Sequence, residues 1–201
     1  MSSLFALGIS GSPRKAATDA AVRYALGHLE DKHGLSTEYF SVRAKKINFC
    51  IHCDYCIRKK QGCVHKDDLQ DLYPVMEQAS IWVLGSPCYH GHISAQLKAI
   101  LDRTRAVLAR DKRALENKVG IGIGVGGDRN GGQELVLHTI QDFCLINRMI
   151  PVSGGAFGAN LGGVVWSRDQ GGQGTHEDGE GLASIRKSLN RAVALARKLH
   201  S

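Results

Sequence analysis

The chain has 201 residues, of which 43% are hydrophobic and 22% charged, and its formal net charge is +7. This length suffices for one substantial core, so we expect residues 1–201 to form a single domain. Lysine and arginine are spread along the chain without a basic run interleaved with aromatic residues, which argues against nucleic-acid binding. No stretch approaches the roughly 20 apolar residues of a membrane helix, and the N-terminus lacks the pattern of a secretion signal. We therefore expect a cytoplasmic protein without membrane contact, in which thiols stay reduced.

Five apolar stretches alternate with helix-like patterns along the chain. They span residues 4–10, 37–42, 80–87, 118–125 and 149–157. Strands that alternate with helices form a parallel sheet with helices on both faces. The sequence therefore predicts an α/β fold with a doubly wound, five-stranded parallel sheet.

Between these stretches, hydrophobic residues recur at helical spacing, which is typical of helices that pack on a core. The stripes consist of Ala21, Ala25, Leu26 and Leu29, of Ile93, Leu97, Ile100, Leu101 and Leu108, of Leu135, Thr139, Ile140, Phe143 and Cys144, and of Leu182, Ile185, Leu189, Val193, Ala196 and Leu199. We interpret Cys144 as a small buried hydrophobic residue. Residues 45–66, rich in cysteine, and residues 154–181, rich in glycine, break the alternation. Long irregular segments of this kind are usually functional or mobile.

The first predicted strand runs into "GISGSPRKAATDAAVRYAL", a turn of small and hydroxyl residues that opens a helix. A helix N-terminus at the carboxyl edge of a parallel sheet offers free N–H groups and partial positive charge to an anion. Ser10, Ser12 and Thr18 add hydroxyl groups, and Arg14 or Lys15 adds charge. The turn matches neither the P-loop of nucleoside triphosphatases nor the dinucleotide-binding glycine pattern. We expect a terminal phosphate dianion here; the alternative is an ordinary helix cap.

The stretch "CIHCDYCIRKKQGC" contains Cys50, Cys53, Cys56 and Cys63. A compartment that keeps thiols reduced disfavours structural disulfides. Three cysteines at successive x2 intervals can reach three corners of one cubane, and the longer arm lets Cys63 close the fourth. Zinc usually takes two well-separated C-x2-C pairs. The spacing favours one [4Fe-4S] cluster, with a zinc site and a regulatory thiol set as alternatives.

Three stretches together resemble the flavin loops of flavodoxin-like proteins, specifically the NAD(P)H-dependent FMN reductase superfamily. They are "GISGSPRK" followed by Thr18, "GSPCYHGHISAQLKAILDR" at 85–103, and "GVGGDRNGGQE" at 124–134. With a compact four-cysteine motif after its second predicted strand, nearly the whole chain resembles the iron-sulfur flavoprotein family, which binds FMN and one [4Fe-4S] cluster. The resemblance implies a flavodoxin-like fold with a cysteine-rich insertion after strand 2. It also implies a homodimer or homotetramer in which the cluster of one subunit approaches the FMN of another.

The residue types and the resemblance together assign the flavin to three loops. The residues are Ser10, Ser12, Pro13, Arg14, Lys15 and Thr18 in the first, Pro87, Cys88, Tyr89, His90 and Gly91 in the second, and Gly126, Gly127, Asp128, Arg129, Asn130, Gly131, Gly132 and Gln133 in the third. Tyr89 offers a ring to the flavin, and the glycines allow close backbone approach. Asp19 is left out, because a carboxylate that faces a phosphate is unfavourable.

The implied function is that of an FMN- and [4Fe-4S]-dependent oxidoreductase. Ferredoxin or NAD(P)H would supply electrons, and a quinone, O2 or peroxide would accept them. The cofactors carry this chemistry, so we expect no catalytic acid or base. The alternatives are an NAD(P)H:FMN or quinone reductase with structural zinc, and a non-enzymatic electron carrier or redox sensor.

Overall fold

The computed structural model describes residues 4–200. The strands of this part of the chain are β1 (Phe5–Ser10), β2 (Ser36–Ser41), β3 (Ile81–Pro87), β4 (Val119–Gly126), β5 (Ile150–Pro151) and β6 (Gly163–Trp166). The helices are α1 (Ala17–His33), α2 (Tyr55–Lys59), α3 (Leu72–Gln78), α4 (Ala95–Arg103), α5 (Arg105–Leu108), α6 (Gln133–Ile146), α7 (Gly171–Glu177) and α8 (Gly179–Leu199). Each helix within residues 4–200 is too short or too polar to cross a bilayer.

The strands pair in parallel, and their order across the sheet is β2-β1-β3-β4-β5. Gly8 of β1 pairs with Tyr39 of β2 on one side and with Val83 of β3 on the other. The direction of strand addition therefore reverses at β1, and sheets of this type bind ligands beyond the carboxyl ends of the strands at such a point. The predicted α/β fold with a doubly wound, five-stranded parallel sheet is confirmed.

Two short strands share the fifth position of the sheet. Ile150 of β5 pairs with Val119 at the start of β4, whereas Gly163 of β6 pairs with Ile123 further along the same strand. Both short strands run parallel to β4. A strand thus lies beside the start and beside the end of β4, and none lies beside its middle.

The predicted strand over 149–157 is wrong beyond Pro151, because the chain leaves the sheet over residues 152–162. Gly155 and Phe157 in this excursion have positive φ values of 85° and 63°. Such a backbone conformation cannot continue an extended strand. The small residues within 152–162 permit these turns. Strand β5 before them is too short to form a longer ladder with β4.

Alternate residues of the central strands enter two different cores. In β3, Ile81 and Val83 pack in a core with α1 and α8, whereas Trp82 and Leu84 pack in a core with α3, α4 and α6. All residues of β3 are buried. A strand covered on both faces is apolar at every position rather than at every second one, which explains the continuous hydrophobic stretch in the sequence.

Strand β4 alternates glycine with branched residues, and the glycines face α6. A Cβ atom at Gly120 would lie 2.3 Å from Cys144 Sγ, and one at Gly122 would lie 2.9 Å from Leu137 Cδ2. Helix α6 therefore packs directly on the strand backbone. Cys144 is fully buried, as predicted, and burial raises the pKa of its thiol to about 12.

The predicted hydrophobic stripe of α6 is wrong in its first member. Leu135 is half exposed and reaches toward Gly91, whereas Val136 and Leu137 are buried against the sheet. The close approach of α6 to the glycines of β4 turns a different face of the helix inward. Ile140 and Cys144, which both stripes share, are buried.

Residues 154–181, which the sequence predicts to be irregular, contain β6, α7 and the start of α8. Helix α7 forms although three of its seven residues are glycine. Thr175 Oγ1 donates to Ala17 O at 3.1 Å, and a Cβ at Gly174 would lie only 1.9 Å from Ser167 O. These close tertiary contacts override the low helix propensity of glycine.

Candidate functional site

Three of the predicted loops lie side by side at the carboxyl edge of the sheet. The first loop (residues 10–18) follows β1, the second loop (87–92) follows β3, and the third loop (126–133) follows β4. Because β1, β3 and β4 are neighbours in the sheet, the three loops are neighbours as well. They occupy the edge where sheets of this type bind ligands.

Buried hydrogen bonds join the first loop to Gly85 in β3 and to Ser94, on either side of the second loop. Gly11 N donates to Gly85 O at 2.8 Å, and Ser94 Oγ donates to Gly11 O at 2.6 Å. Ser94 Oγ also accepts from Leu97 N at 3.1 Å and thereby caps α4. A Cβ at Gly11 would lie 2.7 Å from the Cβ of Leu97, so the close approach requires glycine. The start of α4 thus fixes the position of the first loop.

Cys88 joins the second loop to the third. Its backbone N–H donates to Val125 O at 2.8 Å, and its Sγ donates to Gly131 O at 2.8 Å. Burial raises the pKa of this thiol above its ordinary value. Cys88 therefore keeps its proton and can act as the hydrogen-bond donor that this contact requires.

The first loop has the local features of an anion site. Helix α1 begins at Ala17 after Ala16, which provides no side-chain cap for its first N–H groups. The hydroxyl of Ser10 is buried and has no hydrogen-bond partner within residues 4–200. Ser12 and Thr18 are buried beside it in sequence. The loop therefore offers N–H and hydroxyl donors, which fits a phosphate group.

Positive and negative side chains occupy different places at the first loop and the start of α1. Residues 13–15, Pro-Arg-Lys, are exposed at its outer rim. Asp19 is buried and accepts hydrogen bonds from Tyr39 Oη and, at 3.0 Å, from Arg23 Nε. The carboxylate is thus compensated by its own partners.

The second loop is a tight hairpin turn. Tyr89 and His92 exchange two backbone hydrogen bonds of 3.0 Å. His90 and Gly91 between them have φ values of 48° and 80°, as a two-residue hairpin with a type I′ turn requires. This turn follows Pro87, the last residue of β3, and leaves Tyr89 38% exposed. The phenol ring is therefore available to a ligand at the edge of the sheet.

The glycines of the third loop are required by close packing. A Cβ at Gly126 would lie 2.4 Å from Gln133 Nε2, and one at Gly127 would lie 2.3 Å from Asp169 Oδ1. Gln133 is buried and donates from Nε2 to Asp128 O at 2.7 Å. Gln133 therefore supports the loop from within, and its assignment to the flavin site stays a prediction.

Arg129 extends from the third loop over Trp166. Its guanidinium carbon lies 4.6 Å from the ring centre, and that of Arg168 lies 4.5 Å from the same ring. Trp166 pairs with Gly126 in the β4–β6 ladder, so this cation–π group borders the third loop. Asn130 is exposed at the tip of the loop.

The four-cysteine stretch lies on a loop, residues 48–67, that follows β2 as predicted. We call it the cysteine loop. Asp67 closes its base, because Oδ2 accepts from Asn48 N at 2.8 Å and from Arg103 Nη1 at 2.5 Å. The side chains of Arg103 and Asp67 are both 0% exposed. Burial alone would raise the pKa of Asp67, but the hydrogen bonds from Arg103 and Asn48 outweigh it and hold that pKa at about 2.

Arg103 and Arg105 attach the cysteine loop to α4 and α5. Arg103 Nη2 donates to His65 O at 3.5 Å. Arg105 Nη1 lies 2.9 Å from His52 Nε2, and Arg105 Nη2 donates to Asp54 Oδ1 at 2.5 Å. Sequence reasoning missed these contacts, and the only signal was two arginines at the end of a predicted core helix. They fix both arms of the loop to the body of the protein.

The four cysteines of this loop are free thiols. Cys50 is exposed, and Cys53, Cys56 and Cys63 are half buried. Within residues 4–200, no three Cys, His, Asp or Glu side chains are close enough together to share a metal ion. The loop thus carries a donor set of four thiols, which fits a thiolate-ligated metal centre, and ligation would have to draw them together. The ligand set stays a prediction.

The chain matches the family model described as NADPH-dependent FMN reductase over residues 6–163. This range contains the first, second and third loops and the cysteine loop. Curated relatives are similar over nearly their whole length. An iron-sulfur flavoprotein of Methanocaldococcus jannaschii is 56% identical over 184 residues, which are 92% of each chain. An iron-sulfur flavoprotein of Archaeoglobus fulgidus is 48% identical over 193 residues, which are 96% of this chain and 97% of that protein.

Solved structures share the fold at lower identity. The structure of RosB with a bound riboflavin-phosphate intermediate has a TM-score of 0.74 at 19% identity, over 98% of this chain and 81% of that one. A WrbA-like flavodoxin of Agrobacterium tumefaciens has a TM-score of 0.65 at 16% identity, over 98% and 99%. These likenesses confirm the flavodoxin-like fold. The family model and the curated relatives together place the chain in the NADPH-dependent FMN reductase family and, within it, among the iron-sulfur flavoproteins.

Proposed function

We propose that this protein is an oxidoreductase that holds FMN in the first, second and third loops and one [4Fe-4S] cluster in the cysteine loop. Family membership supports the flavin chemistry, and the names of the relatives support an iron-sulfur centre. The observation that carries the proposal is that the three loops lie side by side at the carboxyl edge of the sheet, with the first loop bonded to both flanks of the second and Cys88 bonded to the third. FMN exchanges one or two electrons and such a cluster exchanges one, so the pair would connect one-electron and two-electron partners.

Each loop supplies a different part of an FMN site. For the phosphate, the start of α1 supplies N–H groups, and Ser10 and Ser12 supply hydroxyl groups. Arg14 is exposed beside them and adds positive charge. For the flavin ring, Tyr89 supplies an aromatic face and the third loop supplies glycine backbone. No side chain is needed as a catalytic acid or base.

The cysteine loop supplies four thiolates from Cys50, Cys53, Cys56 and Cys63. Residues 58–60, Arg-Lys-Lys, are exposed between the third and fourth cysteines. Positive charge at this position would offset the negative charge of four thiolates and favour the reduced state of the centre. The hydrogen bonds accepted by Asp67 would hold the base of the cysteine loop while the thiolates bind the cluster.

Electron donors of this enzyme are ferredoxin or NAD(P)H, and its acceptors are a quinone, O2 or peroxide. We further propose a homodimer or homotetramer in the cytoplasm. Four exposed apolar residues of the cysteine loop support self-association there, namely Phe49, Ile51, Ile57 and Val64. An interface at this surface would bring the iron-sulfur centre of one subunit near the FMN of another.

Steady-state turnover of anaerobically purified protein tests the enzyme. NADPH, NADH and reduced ferredoxin are offered in turn with a quinone, O2 or peroxide as acceptor. We expect at least one donor to be oxidised in many turnovers per flavin. If every donor–acceptor pair reduces the bound groups only once and gives no turnover, the protein is an electron carrier or redox sensor instead.

Cysteine variants test the metal centre. In Cys53→Ser, one thiolate ligand is lost, and we expect iron to fall to a small fraction of the wild-type content while FMN remains bound. Cys144→Ala is the matched control, because this cysteine is buried under α6 away from the loop, and it should retain both groups. Full iron content in Cys53→Ser, or zinc in its place in the wild type, would contradict the proposed ligand set.

A further inference from the structure

Two histidines near the end of α1 face the same atom of α8. His28 Nε2 lies 2.9 Å from Asn190 Oδ1, and His33 Nε2 lies 2.8 Å from it. The two imidazole rings are 5.5 Å apart between their centres and meet at an angle of 75°. Three side chains from two helices thus bring their polar atoms to one point. None of the three belongs to the flavin loops or to the cysteine loop.

The two helices hold these side chains in place. His28 and His33 are five positions apart, whereas neighbours on a helix surface are three or four apart, so Asn190 of α8 is needed to join them. Arg197 Nη2 donates to His33 O at 3.2 Å and fastens the end of α1 to α8. Leu29 of α1 and Leu189 of α8 are fully buried in one core. Ligand atoms on packed helices are placed more precisely than ligand atoms on loops.

The three polar atoms are also possible metal ligands. The Nε2 atom of a neutral imidazole binds Zn²⁺, Ni²⁺ and Cu²⁺ well, and a carbonyl oxygen can complete such a set. In the hydrogen-bonded arrangement, each Nε2 must carry a hydrogen to face the oxygen favourably. A cation at the same point would instead accept a lone pair from all three atoms. His28 and His33 are half buried and Asn190 is exposed, so an ion can reach them from solvent.

We propose that His28, His33 and Asn190 form a binding site for a divalent transition-metal ion that prefers imidazole ligands. The ligands are the two Nε2 atoms and Oδ1, and water completes the coordination. The ion ties the end of α1 to α8. Because no residue of this site lies in the loops assigned to FMN and the cluster, the inference does not depend on the proposed function.

Isothermal titration calorimetry of the purified protein with Zn²⁺ tests the site. His28→Ala and His33→Ala each remove one ligand, and we expect each variant to bind Zn²⁺ about tenfold more weakly or worse at one site per chain. His138→Ala is the matched control, because this histidine is exposed on α6, and it should bind as the wild type does. All variants keep the six cysteines, so zinc taken up by thiols is the same in each.

Asn190→Asp tests the third ligand by a gain of affinity. The carboxylate keeps an oxygen at the same place and adds negative charge, so we expect Zn²⁺ to bind about tenfold more tightly than in the wild type. Asn190→Ala removes the oxygen and should bind more weakly. A disturbed fold would not produce tighter binding, so the gain in Asn190→Asp separates coordination from a structural effect.

The inference is overturned if His28→Ala and His33→Ala bind Zn²⁺ as the wild type does, which would mean that only thiols take up zinc. It is also overturned if Asn190→Asp shows no gain, or if His138→Ala loses as much affinity as the other two histidine variants. In each of these cases the flavin and iron contents of the protein are unaffected, so the proposed function is judged separately.

Discussion

Cys88 connects the second loop to β4 and to the third loop. Its N–H and its Sγ donate to the β4 end and to Gly131 in the third loop. Burial raises the pKa of the Cys88 thiol, so the thiol keeps its donor proton at neutral pH. At the scale of a single residue, this cysteine is therefore a positioning residue for the candidate flavin site.

Cys88→Ala should weaken FMN binding about fivefold, since one hydrogen bond contributes about 1 kcal/mol. Titration of FMN-free protein with FMN, followed by quenching of flavin fluorescence, measures the dissociation constant. Cys88→Ser retains a donor and should lose less affinity than Cys88→Ala. Equal FMN affinity of Cys88→Ala and the wild type would show that the contact between the loops does not matter for binding.

Asp67 makes stability depend on pH. Its pKa is about 2 in the folded protein and about 4 in an unfolded chain. The stabilisation is therefore complete above about pH 4 and is lost as the pH falls through about 2, a change of roughly 2.5 kcal/mol. Urea unfolding of the metal-free protein between pH 7 and pH 2 should show this fall.

Asp67→Asn should abolish this part of the pH dependence and should also lower the free energy of unfolding at pH 7 by roughly 3 kcal/mol, because Arg103 stays buried without a counter-ion. Asp68→Asn is the matched control, since its ion pair with Lys45 is partly exposed and should contribute less than about 1 kcal/mol. A profile for Asp67→Asn that runs parallel to the wild type from pH 4 to pH 2 would contradict the assignment.

At the scale of secondary-structure elements, the sequence predicted the buried strands well and the glycine-rich segment poorly. Strand β3 is buried on both faces, so its hydrophobicity is continuous and unmistakable. Helix α7 has three glycines and no hydrophobic stripe, and it is held by contacts to α1 and to Ser167. Such contacts between distant parts of the chain leave no local pattern in the sequence.

Gly174 and Gly172 in α7 give a direct test of this packing. A Cβ at Gly174 would lie 1.9 Å from Ser167 O, whereas one at Gly172 would lie 3.6 Å from Ala20 Cβ. Gly174→Ala should lower the free energy of unfolding by about 2 kcal/mol or more, because backbone must move. Gly172→Ala should raise it by about 0.4–1 kcal/mol, because alanine restricts the unfolded chain.

Thermal or urea unfolding measures both alanine variants. The paired design removes the general effect of alanine on helix stability, since both glycines lie in the same helix. Equal stabilities of the two variants would mean that α7 does not dock on Ser167 as described.

At the scale of the whole molecule, the meeting of the three loops at one edge of the sheet could be predicted from the sequence, whereas the contacts that hold the cysteine loop could not. The ends of β1, β3 and β4 carry recognisable loops, and parallel strands bring their carboxyl ends to one edge. The ion pair of Asp67 and Arg103, by contrast, joins residues 36 positions apart. Neither residue has a sequence pattern of its own, because a buried ion pair depends on geometry that only the folded chain provides.

The first loop and the cysteine loop are both bonded to the ends of α4. Its N-cap residue, Ser94, is bonded to the first loop, and its last residue, Arg103, is bonded to the base of the cysteine loop. One short helix thus connects the candidate flavin edge to the candidate iron-sulfur loop.

Quantitative iron, zinc and FMN analysis of protein purified without oxygen, together with its EPR spectrum after reduction, shows whether the protein carries both FMN and a [4Fe-4S] cluster. We expect about four iron atoms and one FMN per chain, and a reduced signal typical of a cubane held by thiolates. One zinc per chain with flavin as the only chromophore would contradict it.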